Sequence, residues 1–412
     1  MTFHQGALSW LGLGKLLCTI LVASLPLLSS AAPKPVLVGL DAELGFKGST
    51  SAEAIRQGMQ LAIDDINQRG GVMGGRPLQL VERANNTIPA RSIANIREFA
   101  QMPDLVAVFC GRFSPTVLES IPVIHSLQVP LLIPWGAANA IVDNGRKPNF
   151  VFRLSLRDDW AVYRMMEHLS SRNLQRVGLM MLNTSWGRGT EQSAIEFVRR
   201  KGNRLTLVHT EWINWDDTVE SIGVKYQRLL SANAQALLLT VNSVEAVLLA
   251  KAMLELPPVK RLPVASHWGV AGGNLPAETG PKFSELDFAV VQTFALTGKL
   301  TPKQKALFEA HQKSFGSKSP RDIASVVGVG HAYDLMQLLA RAIDKAGTTN
   351  RESIRQALEN LGPYDGVVRT YQRPFTQSRH EALDLKDVFM ATYSKSDLKL
   401  ERMTDIPIAG SR

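Results

Sequence analysis

From Val36 onward, short apolar runs alternate along the chain with longer segments of helical period. The runs are Val36–Leu40, Leu78–Glu82, Leu105–Cys110, Leu131–Pro134, Val177–Leu182, Leu205–Thr210 and Ala236–Thr240, several of them apolar almost throughout. Such runs fit strands covered on both faces. The first helical segment opens with Thr50 and Glu53 in capping-box spacing and carries Ile55, Met59, Ala62, Ile63 and Ile66 at intervals of three and four. Gly70 and Gly71 end it. A second opens at Ser114, read as an N-cap, with Pro115 where a missing N–H costs nothing, and runs to about Leu127. Further helices are predicted over 160–171, 190–201, 219–232, 243–256, 302–315, 323–346 and 351–361. Strand and helix in alternation predict an α/β protein built on parallel sheets. A length of 412 residues suggests two domains, and no linker rich in Pro, Gly or Ser divides them, so they must be interlaced.

The N-terminus changes the picture of where the protein works. Lys15 precedes an apolar stretch from Leu16 to Leu28, and Ser29, Ser30, Ala31 and Ala32 lead to Pro33. This order predicts a signal peptide over 1–32, an uncleaved anchor being the alternative. The stretch is shorter than the ~18 residues of a spanning helix. Cys18 lacks the small neighbours of a lipoprotein cleavage site, so a soluble product is expected. Cleavage leaves Cys110 as the one cysteine, which excludes an internal disulfide, and its place at the end of an apolar run marks a small buried hydrophobe. The hydrophobic share of 45% with 20% charged residues is ordinary for a globular chain. The net charge of +9 is scattered, with no basic run of five, so it reads as a solvated surface mildly favourable to anionic ligands and not as a nucleic-acid site.

Catalytic patterns are absent: there is no Gly-x-Ser-x-Gly elbow, His-Glu-x-x-His, paired-cysteine metal spacing or phosphate loop. The glycines at 70–75 follow a helix, so they form a turn and not a dinucleotide fingerprint. No cofactor, metal site or enzymatic activity is expected. What remains is binding at the carboxyl ends of the strands of a doubly wound sheet. There the loops hold Gly45-Phe46-Lys47-Gly48, Gly111-Arg112-Phe113-Ser114, Pro134-Trp135-Gly136-Ala137 and Asn183-Thr184-Ser185-Trp186-Gly187. Backbone N–H groups at the Ser114 helix start suit a carboxylate, and the aromatic rings suit an apolar body.

These residues resemble the type I periplasmic binding proteins of the leucine/isoleucine/valine-binding family. The resemblance rests on Gly58-Met-Gln-Leu-Ala-Ile-Asp-Asp-Ile-Asn67 with Gly70 to Arg76, on Gly111 to Ser114, on Pro130 to Pro134, on Phe152-Arg153 with Asp158, on Ser185 to Gly189 and on Gly362-Pro363-Tyr364-Asp365-Gly366. It implies two Rossmann-like lobes, 33–155 with 296–367 and 156–295 with 368–412, joined by three crossovers near 153–157, 292–297 and 366–370. It also implies a monomer in the periplasm that captures a small amino acid or related organic acid by lobe closure. The partner would be an ABC permease, with presentation to a receptor kinase as the alternative. Carried over position by position, the family's carboxylate-binding serine falls on Ser114, and a backbone N–H at Ala137 survives where the family's threonine hydroxyl is missing. Cleft tyrosines fall on Trp186 and Asn242. The glutamate that holds an amino-acid ammonium falls on Trp268, beside His267. With Trp135, Trp186 and Trp268 as walls, the resemblance points away from an amino acid and toward an organic acid; Asp41 or Glu43 could still supply the missing charge, and Trp268 could be lobe packing.

Overall fold

The computed structural model describes residues 33–403, so the predicted signal peptide lies outside the described residues. Two sheets organise the chain. The first holds Val36–Ala42 (β1), Leu78–Ala84 (β2), Leu105–Cys110 (β3), Leu131–Ile133 (β4) and Val151–Arg153 (β5), all parallel, in the order β2-β1-β3-β4-β5. The second begins with Arg176–Leu182 (β6), Thr206–Ile213 (β7), Ala236–Thr240 (β8), Val264–Ser266 (β9) and Phe288–Gln292 (β10). After a small hairpin of Tyr364–Asp365 (β11) and Thr370–Tyr371 (β12), Phe389–Tyr393 (β13) and Leu400–Arg402 (β14) complete it, in the order β14-β13-β10-β9-β8-β6-β7. Its first five strands are parallel and repeat the order of the first sheet; β13 and β14 add antiparallel strands at the β10 side. This order reverses between β1 and β3 and again between β6 and β8, and such a reversal opens a crevice at the strands' carboxyl ends.

Burial alone does not decide which strands were legible. Every residue of β3, β4, β8 and β10 is buried, yet β10 is missing from the predicted runs, while the edge strands β2 and β7, which alternate between covered and exposed positions, are among them. The helix Ser51–Gln68 lies against the long helix Val326–Ala346, so chain 326–346 returns to the first sheet. At Gly58 a Cβ would come within 2.3 Å of the Val329 carbonyl, so only glycine lets these helices approach so closely. Gly71 has φ of 74° and a Cβ there would meet the Arg76 carbonyl at 2.3 Å, which is why the glycine cluster is a turn.

The structure departs from the sequence reading in several places. The helix Pro89–Gln101 was not predicted; it buries only Ser92, Ile96 and Phe99, a stripe too thin to stand out. The Thr50–Glu53 capping box does not form. Thr50 Oγ1 instead pairs with Ser325 Oγ at 2.6 Å, and Glu53 takes Arg56 and Gln57. The N-cap of the helix Ser114–Ser126 is Phe113, so Ser114 is its first helical residue and makes no capping bond. The helix predicted over 190–201 starts at Ser185, because Thr184 caps it by accepting from the Gly187 N–H. Segment 375–382 lies along β5: the Arg153 N–H donates to the His380 carbonyl, the Ala382 N–H donates to the Arg153 carbonyl, and His380 stacks on Phe152 at 4.0 Å. Among the described residues no helix is long and apolar enough to cross a membrane.

Candidate functional site

The carboxyl ends of the two sheets meet across a cleft lined from both sides. All seven residues expected at the site line it: Ser114, Trp135 and Ala137 from the first sheet's loops, and Trp186, Asn242, His267 and Trp268 from the second's. The lobes touch around it. Arg112 Nη1 donates to the Gly272 carbonyl at 3.1 Å, the Thr50 N–H donates to the same carbonyl at 2.8 Å, and Ser243 Oγ donates to the Gly48 carbonyl at 3.1 Å.

On the first lobe, the loop after β4 is fixed at every carbonyl from 134 to 138. His331 Nδ1–H donates to Pro134, Ser155 Oγ to Trp135, Arg153 to Gly136 and Ala138, and the Asp158 N–H to Ala137. Arg153 is itself held from behind by Glu381 through a bidentate pair with Nε at 2.8 Å and Nη2 at 2.5 Å. Ser114 Oγ accepts from the Ala138 N–H at 3.3 Å, which leaves its own proton available to an acceptor in the cleft. The Ala137 N–H has no partner among the described residues. A loop so braced presents an N–H and a hydroxyl in fixed positions.

Arg112 belongs to the Gly111–Ser114 motif, where its residue type alone suggested no role, and it is the strongest charge in the cleft. Its side chain is 2% exposed and lies over the Phe113 ring at 4.6 Å. Its one side-chain hydrogen bond goes to Gly272; its Nε has no partner and stands 3.9 Å from Glu43 Oε1. Burial holds the guanidinium below its ordinary pKa against the pull of Glu43 and Glu245. Glu43 thus faces Arg112 and accepts from the Arg112 N–H and Ser51 Oγ, so its charge is directed to Arg112. Asp41 does not line the cleft. Its carboxylate accepts from Asn85, Ser92 and Asn95, and burial raises its pKa against those bonds.

On the second lobe, Asp158 Oδ1 accepts from both Trp186 Nε1 and His267 Nε2, each at 3.1 Å. Trp186 meets His267 edge-to-face at 4.9 Å. A donating Nε2 makes His267 Nδ1 an acceptor in the neutral ring, and that atom is buried without a partner. Trp268 is buried between Trp135, at 5.2 Å, and His331, at 5.8 Å, so it both packs the lobes and lines the cleft. Asn242 precedes the helix Ser243–Leu254, where its N–H donates to Glu245 Oε2 at 3.1 Å. Phe46, Phe113 and Trp215 form an aromatic rim with ring centroids 5.9 and 6.4 Å apart. Trp215 follows the edge strand β7 amid polar residues, and that context hid it. Among the described residues, no group of three or more His, Cys, Asp or Glu is placed to hold a metal.

This two-lobed cleft has relatives. The model of a family described as periplasmic binding protein matches residues 42–386. The chain belongs to the periplasmic binding protein family. Among relatives, a Leu/Ile/Val-binding protein homolog 2 from Brucella abortus is 22% identical over 354 residues, covering 86% of this chain and 90% of that protein. The fold is shared with a type 1 periplasmic binding protein from Bordetella pertussis Tohama I, with a TM-score of 0.79 at 20% identity over 90% of this chain and all of that one. It is also shared with an ABC transporter solute binding protein from R. palustris in complex with 4-hydroxybenzoate, with a TM-score of 0.73 at 16% identity over 90% of this chain and 96% of that one. Membership accounts for the interlaced lobes and for the loop motifs seen in the sequence; these low identities leave the choice of ligand to the cleft.

Proposed function

We propose that this protein captures a small carboxylate-bearing ligand by closing its two lobes, and presents the closed form to the permease of an ABC importer in the periplasm without chemistry on the ligand. The observation that carries the reading is the Arg112 guanidinium, buried in the cleft with a single side-chain hydrogen bond. Its ion pair with Glu43 spans 3.9 Å and leaves Nε without a hydrogen bond, and an anionic ligand would supply the acceptors that this pair does not. In this reading Arg112, the Ser114 hydroxyl and the Ala137 N–H hold the carboxylate, while Trp135, Trp186 and Trp268 cover the body and Asn242 and His267 complete the second lobe's wall. The related Brucella protein is named for branched-chain amino acids and the R. palustris one holds an aromatic acid, so both chemistries belong in the first screen.

Lobe limits belong to the same proposal. The first two crossovers stay near 153–157 and 292–297, and the third moves from 366–370 to the chain between Leu383 and Val388, after the segment that lies along β5. Closure is then a population shift driven by differential affinity for the closed form.

A thermal-unfolding screen of organic acids and amino acids tests the reading. A true ligand at one hundred times its Kd adds about 2.7 kcal/mol to stability. Stabilisation by an acid supports capture; no stabilisation by any acid, or turnover of the one that binds, removes it.

A further inference from the structure

We propose that the cleft selects an aromatic acid that carries a hydroxyl group, with the hydroxyl donating to Nδ1 of His267. This rests on the capture reading and adds the second end of the ligand. His267 is wholly buried, lines the cleft, and has its Nε2 committed to Asp158 at 3.1 Å. Its Nδ1 is left as a buried atom without a partner. Buried polar atoms in folded proteins are nearly always paired, and an unpaired one on a residue that lines a binding cleft is where a ligand atom of complementary type would be satisfied. For a neutral imidazole whose Nε2 donates, that complement is a donor.

The chemistry around His267 separates two donors, a hydroxyl and an ammonium. An ammonium brings several N–H bonds and a full positive charge, so it needs several acceptors and a carboxylate in reach. Here neither carboxylate lines the cleft: Glu43 faces Arg112, and Asp158 lies behind Trp186 and His267, holding both through Oδ1. A hydroxyl needs a single acceptor for its proton, which is what Nδ1 supplies. The walls formed by Trp135, Trp186 and Trp268 favour a flat body between the two ends. Asp158 is a positioning residue in this scheme: it fixes the His267 tautomer through Nε2 and holds the Trp186 indole through Nε1.

Calorimetric titration of the wild-type protein with benzoate, 4-fluorobenzoate, 3-hydroxybenzoate and 4-hydroxybenzoate, with leucine and phenylalanine alongside, decides the matter. At least one hydroxybenzoate is expected to bind about tenfold or more tighter than benzoate and 4-fluorobenzoate. In His267→Phe, which keeps a ring against Trp186 and removes the acceptor, that preference should fall below about threefold while benzoate still binds. Equal affinity for hydroxylated and parent acids in the wild type overturns the proposal and leaves capture of a carboxylate standing. Tighter binding of either amino acid also overturns it, in favour of an ammonium at His267. If no acid of any kind binds, both this proposal and the capture reading fall. The wild-type series separates these outcomes even where the His267 variant does not fold.

Discussion

Two buried polar clusters lie within a few side chains of each other, and they differ in one respect. On the helix Val326–Ala346, His331 donates to the Pro134 carbonyl and pairs with Thr293 Oγ1, while Asp334 accepts from the Val367 and Val368 N–H groups and the Tyr371 hydroxyl. Every polar side-chain atom there has a partner. In the cleft, Arg112 Nε and His267 Nδ1 have none. Both clusters are wholly or almost wholly shielded from water. A satisfied buried cluster holds a fold together; an unsatisfied one of equal burial carries a cost that the fold alone does not explain. The first ties the chain at Thr293 to the site loop, and the second is where we propose that the ligand binds.

The comparison can be broken by substitutions that should act on stability at one cluster and on binding at the other. The largest effect is expected for Asp334→Ala, which leaves three donors unpaired: unfolding free energy should drop by about 4 kcal/mol in urea titrations, with ligand affinity unchanged in the folded protein. Next comes pH. Burial lowers the His331 pKa from 6.5 to about 4. The stability from its neutral form is therefore full above pH 6.5 and lost as pH falls through about 4. Wild type should lose about 3 kcal/mol relative to His331→Gln between those limits, and a gap that does not move with pH refutes the assignment. Asp334 opposes it. Burial raises its pKa from 3.8 to about 6, so the contribution of its neutral form is full below pH 3.8 and lost as pH rises through about 6. Arg112→Met should weaken acid binding by about 2 to 3 kcal/mol in calorimetry; because it also strands the buried Glu43 carboxylate, it is Arg112→Met combined with Glu43→Gln that should keep the unliganded protein within about 1 kcal/mol of wild type. Smaller again is Ser114→Ala, at about 1 kcal/mol of binding, because the carboxylate keeps its other partners. Smallest is the optical signal: intrinsic fluorescence should change on acid binding if Trp135 and Trp186 face the ligand, and silence across a titration confirmed by heat counts against both.

Much of this was legible in the sequence because it rests on patterns the chain must repeat. The buried strands β3 and β8 read as apolar runs, and the loops after β3, β4 and β6 carried motifs that line the cleft. What was not legible depends on partners distant in sequence. Arg112 looked like any loop arginine until Gly272, 160 residues on, closed over it. Asp158 gave no sign that it would meet Trp186 and His267, 28 and 109 residues away. The three-residue strands β5 and β9 are too short for periodicity to register. Thr50 and Glu53 had the spacing of a capping box, and a distant partner for Thr50, Ser325, with neighbours in its own helix for Glu53, overrode it.

The central claim is that the buried Arg112 awaits a carboxylate, and the most direct measurement pairs the best acid from the thermal screen with its own primary amide. The two have the same shape and differ in charge. Calorimetry on the wild-type protein should show the acid binding about 30-fold or more tighter than the amide, a difference that Arg112→Met abolishes. An amide that binds as tightly as its acid would mean that the guanidinium is not the ligand's partner, and the account would fail at its base.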